Sequence, residues 1–360
     1  MKFVVITKSL LDFIPPVISV SLILRDLGHD VHVITSGASP TVEEKLKSRN
    51  ISMDVLPYTT ATNPAKKVWE YIMFRRETVK LLKTLSFDIL WIEGAITIRS
   101  LGKSISKYPY ILQISELHET SKPQLRSIGK VINDAKLVFM PEYNRTVLYQ
   151  IWFNLKNRPV TLPNKPYFIP APESMGYLKK KYSSLLETFR KYKVILFQGM
   201  IFPERDLSNY ITAIKELGRD YKLVLLGKDE NMLSKYRQID ENIIHIDFIP
   251  APDYLVFTSL CHFGIVTYDP RKLNTAYCAP NKIYEYSAFG KPMIGNNIHG
   301  LNCLEHYKAG VLVDESSVCS IQEAISLLDD NYEDYSHGAK ELFMSTDNNR
   351  TIKQSLERIQ

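Results

Sequence analysis

Apolar positions in this chain gather into short uninterrupted runs, separated by longer stretches of helical period. Residues 2–7 form the first run, residues 17–27 read as a helix closed by Gly28, and residues 29–35 form the next run. Further short apolar runs fall at 51–56, 87–92, 110–114 and 136–140. Such runs, with helical patterns between them, describe strands buried on both faces of a parallel sheet covered by helices. The series ends at residues 160–166 and starts afresh at 193–197, followed by runs at 221–226, 243–246, 263–268, 292–295 and 310–313. The proline-rich segment reaching Pro172 reads as the linker. The expected organisation is α/β, with one Rossmann-like domain over residues 1–165 and a second over 166–345. A terminal helix follows within 346–360, read at 351–360, and the sequence leaves its docking partner open. The halves share an architecture without sharing a sequence period. Ligands of open parallel sheets bind beyond the carboxyl ends of the strands, so two facing sheets would enclose an interdomain cleft.

Composition narrows the class. Of the 360 residues, 45% are hydrophobic and 23% charged, which is ordinary for a globular protein. No stretch has the eighteen or more uninterrupted apolar residues of a membrane span. The run at the N-terminus is short for a signal peptide and reads as a strand. Four cysteines lack CxxC or zinc-ligand spacing, so no metal site is expected and a reduced, cytoplasmic chain is the default. The net charge of +6 is unevenly divided. Residues 1–165 carry 23 Lys and Arg against 14 Asp and Glu, a net of +9, and the remainder carries 22 against 25, a net of −3. The first half is thus the one suited to an anionic surface. No nucleic-acid-binding motif accompanies the charge, so nucleic acid is not an expected partner. In the helical segment 66–85, Lys66, Lys67, Arg75, Arg76, Lys80 and Lys83 mix with Trp69, Tyr71, Met73 and Phe74. That mixture suits peripheral attachment to an anionic membrane face, whereas a solvated helix with one core face is the plainer reading.

The densest chemistry lies at 279–294. Ala279 and Pro280 lead into a helix, with Pro280 expected in its first turn. Asn281 and Lys282 follow where free N–H groups and the helix dipole attract an anion. Glu285 stands one turn later, and Gly290 and Pro292 end the helix before a further apolar run. An anion site with one carboxylate a turn away suits a diphosphate joined to a vicinal diol, as in a nucleotide-sugar. The loop 198–206 adds Gly199 for close backbone approach and Arg205 for phosphate oxygens. Paired with Glu204 or Asp206, Arg205 would instead be a surface charge. The segment 247–250 follows a strand and is a candidate to offer a nucleobase its backbone groups and the apolar surface of Phe248 and Ile249, with a structural loop as the alternative. Glu116 and His118 follow the run 110–114 as candidate acid–base groups, with a solvated turn as the alternative. Glu93, Glu142 and His299 occupy comparable strand-end positions.

Together these residues resemble the family 4 glycosyltransferases, with their GT-B fold, over nearly the whole chain. Residues 279–294 resemble the donor-binding helix in a Pro-Asn-Lys variant, and 198–207 resemble the phosphate loop, with Arg205 at its basic position. Residues 134–145 and 162–164 resemble the end of the acceptor domain. Tyr277 stands where a second glutamate is common, and Met200 where another arginine is common. The first loop, 8–16, lacks glycine. The family's acceptor-side histidine falls near Ser115, leaving Glu116 and His118 as substitutes. The resemblance implies metal-independent, retaining sugar transfer from a nucleotide-sugar, a substrate rather than a cofactor, to a glycan or lipid-linked acceptor in polysaccharide assembly. It implies donor contacts from Gly199, Arg205, Tyr277, Ala279, Pro280, Asn281, Lys282 and Glu285, and catalytic parts for Arg205, Glu116 and His118. Two other classes fit the same features: a sugar-nucleotide epimerase, and a partner subunit that binds donor without turnover.

Overall fold

The computed structural model describes residues 1–59, 63–218 and 220–359. Gln360, which ended the expected terminal helix, lies outside the described residues. The chain forms two compact units, Met1–Tyr167 with Asp347–Gln360, and Phe168–Thr346.

In the first unit seven strands form one sheet: β1 (Lys2–Thr7), β2 (Asp30–Thr35), β3 (Ser52–Val55), β4 (Ile89–Glu93), β5 (Tyr110–Gln113), β6 (Leu137–Met140) and β7 (Val160–Thr161). Their order is β3-β2-β1-β4-β5-β6-β7, and every pairing is parallel. The order reverses between β1 and β4, so the loops after these two strands diverge there. The helix Pro64–Leu82 starts two residues before the expected 66, because Asn63 caps it by accepting from the N–H groups of Ala65 and Lys66. The terminal helix Asn348–Glu357 belongs to this unit. Ile352 and Leu356 are buried in the core formed by Val17, Val20 and Leu24, and Asp347 accepts from Arg350 N–H at its start.

In the second unit β8 (Lys193–Gln198), β9 (Tyr221–Leu226), β10 (Ile244–Ile246), β11 (Phe263–Val266), β12 (Met293–Asn296) and β13 (Gly310–Val313) pair in the order β10-β9-β8-β11-β12-β13. All pairs are parallel, and the reversal falls between β8 and β11. Alternation along β8 divides the core. Val194 and Leu196 face one layer, and Ile195 and Phe197 face the other. The strand expected at 263–268 stops at Val266, because the next backbone bonds at Tyr268 go to the Asn296 side chain rather than to a strand.

Candidate functional site

The helix Asn281–Ala288 begins one residue later than the sequence suggests. Pro280 has φ −77° and ψ 139°, an extended conformation, so it precedes the helix instead of occupying its first turn. A proline side chain can accept no hydrogen bond, and the N–H groups at the helix start have no side-chain cap. At the other end Gly290, with φ +59°, and Lys291 donate their N–H groups back to Ser287 and Tyr286. Tyr286 donates its hydroxyl to the Leu196 carbonyl at 2.8 Å, fixing the helix to β8.

Lys282 is buried, and its Nζ has no hydrogen-bond partner among the described residues. It lies 4.6 Å from the centre of the Phe197 ring and 5.8 Å from that of Tyr268. Burial, and secondarily the nearby Arg205 charge, push its pKa down to about 7, against opposing pulls from Glu285 and Cys278. Gly199 closes over the same spot with φ +133°, and a methyl group placed there would stand 3.2 Å from Lys282 Nζ and 3.9 Å from an Arg205 nitrogen. Gly227, the residue after β9, is equally constrained, since a methyl group there would meet the Gly199 carbonyl at 2.1 Å.

Arg205 ends a short turn, Pro203–Arg205, just before the helix Ser208–Leu217. It makes no ion pair among the described residues. The alternative pairing with Asp206 is not formed, since that carboxylate binds Lys235 at 2.6 Å and the Ser208 hydroxyl. The guanidinium instead lies 4.8 Å from the Phe202 ring centre and 4.2 Å from that of Tyr268. It also lines a cavity of about 380 Å³ whose wall includes Asn209, Thr267, Asp269, Arg271 and Glu315.

Glu285 is buried beside this pair of cations. One carboxylate oxygen accepts from Tyr254 at 2.5 Å and the other from Gln198 Nε2 at 2.5 Å. Gln198 is oriented by Thr258, whose hydroxyl donates to its Oε1 at 2.7 Å. Burial raises the Glu285 pKa, opposed by Tyr254, Lys282 and Gln198. Each oxygen keeps a further lone pair, so the group can still accept from two neighbouring hydroxyls. The sequence pattern does not single out Gln198, Tyr254 or Tyr268. The polar ending of the apolar run 193–197 was a signal for Gln198, and nothing local marks the two tyrosines.

Tyr277 stacks on His299 with ring centres 5.7 Å apart. Gly300 presses on the same loop, and a methyl group there would stand 2.4 Å from Cys278 N. The residues leading to Ala279 and Pro280 are therefore set by close packing. Phe248 is 67% exposed, whereas the Ile249 side chain is buried in the core, which leaves its backbone as the part able to face a ligand.

The first unit holds the remaining candidates. Glu116 is exposed, 3.6 Å from the buried Arg145, which donates to the Ser115 carbonyl. His118 sits at φ +60° with its carbonyl accepting from Ser121, and burial lowers its pKa against Glu116 and Glu119. Glu93 is buried at the end of β4, takes a 2.8 Å hydrogen bond from Thr7 and is pushed up to about 7, chiefly by burial. Glu142 caps the helix Tyr143–Phe153, accepting from Arg145 N–H at 2.9 Å, which is a structural task.

Residues 192–331 match the model of the family described as Glycosyl transferases group 1. No curated protein matches the chain. Among solved structures, HepE of Anabaena in complex with UDP and glucose is 14% identical, with a TM-score of 0.72 over 99% of this chain and 100% of that one. Sucrose-phosphate synthase of Thermosynechococcus elongatus is 14% identical, with a TM-score of 0.73 over 100% and 98%. UDP-GlcNAc 2-epimerase of Neisseria meningitidis, bound to UDP-GlcNAc, is 13% identical with a TM-score of 0.64 over 99% and 100%. The chain thus has the fold of GT-B enzymes, with two Rossmann-like α/β units.

Proposed function

We propose that this protein is a glycosyltransferase that draws on a nucleotide-sugar and passes the sugar to a glycan or lipid-linked acceptor. One observation carries the donor assignment: the buried Lys282 ammonium has no acceptor among the described residues and lies beside Arg205, under Gly199, at a helix start without a side-chain cap. Two basic groups and the amide N–H groups of a helix start at one place favour the binding of an anion there. A diphosphate fills that need, with Glu285 accepting from the ribose diol. The match to group 1 glycosyltransferases and the UDP held by HepE favour the same class.

In this reading the bond between the sugar carbon and the diphosphate oxygen breaks, and a bond from that carbon to the acceptor oxygen forms. The acceptor's proton passes to the departing phosphate, so that retention needs no strong protein base. Arg205, Lys282 and the helix start stabilise the charge gathering on the leaving group in place of a metal ion. Glu116 and His118 orient the acceptor rather than deprotonate it. The setting is cytoplasmic polysaccharide assembly, with the basic first unit touching an anionic membrane face. A thermal-shift panel of UDP-, GDP- and ADP-sugars tests the donor site, because a ligand at 100 times its Kd adds about 2.7 kcal/mol. Stabilisation by one base class, and a loss of transfer of about 10²-fold or more in Arg205→Ala, is the expected result. No response to any of the three overturns the reading.

Epimerisation is the second reading, favoured by the fold shared with UDP-GlcNAc 2-epimerase. It needs acid–base groups around the donor sugar, whereas the carboxylate beside the cations is already held by Tyr254 and Gln198. Conversion of the donor sugar without acceptor would decide for it.

A further inference from the structure

Two cations share one ring. The Arg205 guanidinium carbon is 4.2 Å and the Lys282 Nζ 5.8 Å from the centre of Tyr268. These charges repel, as the effect of Arg205 on the Lys282 proton shows, and no carboxylate pairs with either among the described residues. An aromatic face attracts cations through its quadrupole without neutralising them, which leaves both free to meet an anion.

The ring's own position is fixed in an unusual way. β11 and β12 are parallel neighbours, with Val266 opposite Gly295, and β11 ends there. Beyond that point Asn296 turns its side chain onto the Tyr268 backbone. Its Oδ1 accepts from Tyr268 N–H at 3.1 Å and its Nδ2 donates to the Tyr268 carbonyl at 2.7 Å. The side-chain amide thereby extends the sheet's hydrogen bonding past its last backbone pair. Asn296 is buried, and these two partners dictate which end of its amide is oxygen. Aspartate, of the same shape, could accept the first bond but not donate the second.

Resting on the reading of the cation pair as an anion site, we propose that Tyr268, clamped through its backbone by Asn296, is the positioning residue that holds Arg205 and Lys282 aimed at one diphosphate. Tyr268 acts through the cations, and the ring rather than the hydroxyl does the positioning.

The test compares Tyr268→Phe, Tyr268→Leu and Asn296→Asp in the full chain, with inorganic pyrophosphate and UDP as calorimetric probes. Ligand-free side-chain NMR of the Arg205 Nε–H gives a second, independent readout. The expected result is wild-type affinity for Tyr268→Phe and a loss of about tenfold for Tyr268→Leu, the scale of a desolvated cation–π contact. The upfield ring-current shift of Arg205 should persist in Tyr268→Phe and vanish in Tyr268→Leu. Asn296→Asp, which keeps the tyrosine but loosens its backbone clamp, should weaken both readouts. An unchanged Arg205 resonance in Tyr268→Leu overturns the proposal, as does wild-type affinity in that variant. If the resonances behave as expected but neither probe binds the wild-type protein, the donor-site reading fails while the ring is confirmed as a holder of the cations.

Discussion

At the residue scale the buried Lys282 is where the proposed donor site can be measured, through its proton. Its pKa is about 7 in the folded chain against 10.5 for an ordinary lysine. Between these two values the unfolded chain binds the proton and the folded one does not, so this residue's contribution to stability rises with pH through that window. Below about 7 the fold carries a buried, unmatched charge. A diphosphate bound at the proposed site would reverse the situation, because it would stabilise the ammonium and raise its pKa again. Binding of UDP at pH 8 should therefore take up about one proton, read by calorimetry in two buffers of different ionisation enthalpy. Lys282→Met should abolish the uptake and weaken binding by about 10²-fold, while raising the melting temperature of the ligand-free protein at pH 6. A variant that melts lower and binds UDP as before would make Lys282 a structural residue. The sequence singles out Lys282, Arg205 and Glu285 as candidates, because the spacing of a short helix and a loop is local. It could not expose Tyr254, which meets Glu285 across 31 positions, or Tyr268, which is placed by the neighbouring strand.

At the scale of elements, the helix Pro64–Leu82 shows how an inner contact decides an outer face. Buried Glu70 lies 3.7 Å from the buried Lys8 Nζ, which also donates to the Tyr58 carbonyl at 2.8 Å. Phe74 and Thr78 continue that inner stripe. The opposite side then presents Val68, Trp69 and Ile72, exposed at 53%, 52% and 52%, followed by Arg76, Lys80 and Lys83. Tyr71 and Phe74, counted with Trp69 in the sequence pattern, face inward. The outer face thus combines apolar anchors with cations, as an interfacial helix does. No helix among the described residues is long and apolar enough to cross a membrane. The protein should sediment with vesicles rich in phosphatidylglycerol and not with phosphatidylcholine alone. Trp69→Ser with Ile72→Ser should lower that partition by about tenfold or more at unchanged melting temperature, since burying two such side chains is worth about 3 kcal/mol or more. Equal sedimentation of the double variant would assign the face to solvent. Strand positions were legible wherever the apolar run was long enough, because a β-rich apolar run has few alternatives, whereas the two-residue β7 gave no such signal. Ends were less so, as at 263–268, where a side chain rather than a strand completes the hydrogen bonding.

For the whole molecule, the return of the chain to its first unit carries the consequence. The helix Asn348–Glu357 places Ile352 and Leu356 wholly inside the first core, and Asn348 donates to the Pro163 carbonyl at 2.8 Å. The sequence announced a helix here but not its seat, since a short amphipathic stripe fits any apolar groove. All three tryptophans, Trp69, Trp91 and Trp152, lie in the first unit, so their fluorescence reports its unfolding alone. Removing residues 347–360 uncovers two large aliphatic side chains, a loss of about 3–6 kcal/mol at 1.5–3 kcal/mol each. That is a large share of the roughly 5–15 kcal/mol that sustains a domain. The truncated protein should therefore lose its tryptophan transition at a temperature well below that of the full chain. Its second unit, which contributes neither those residues nor their contacts, should keep both its own far-ultraviolet transition and its stabilisation by UDP. A single transition displaced equally in both signals would show instead that the two units fold as one cooperative body. In that event the helix would stabilise the molecule as a whole.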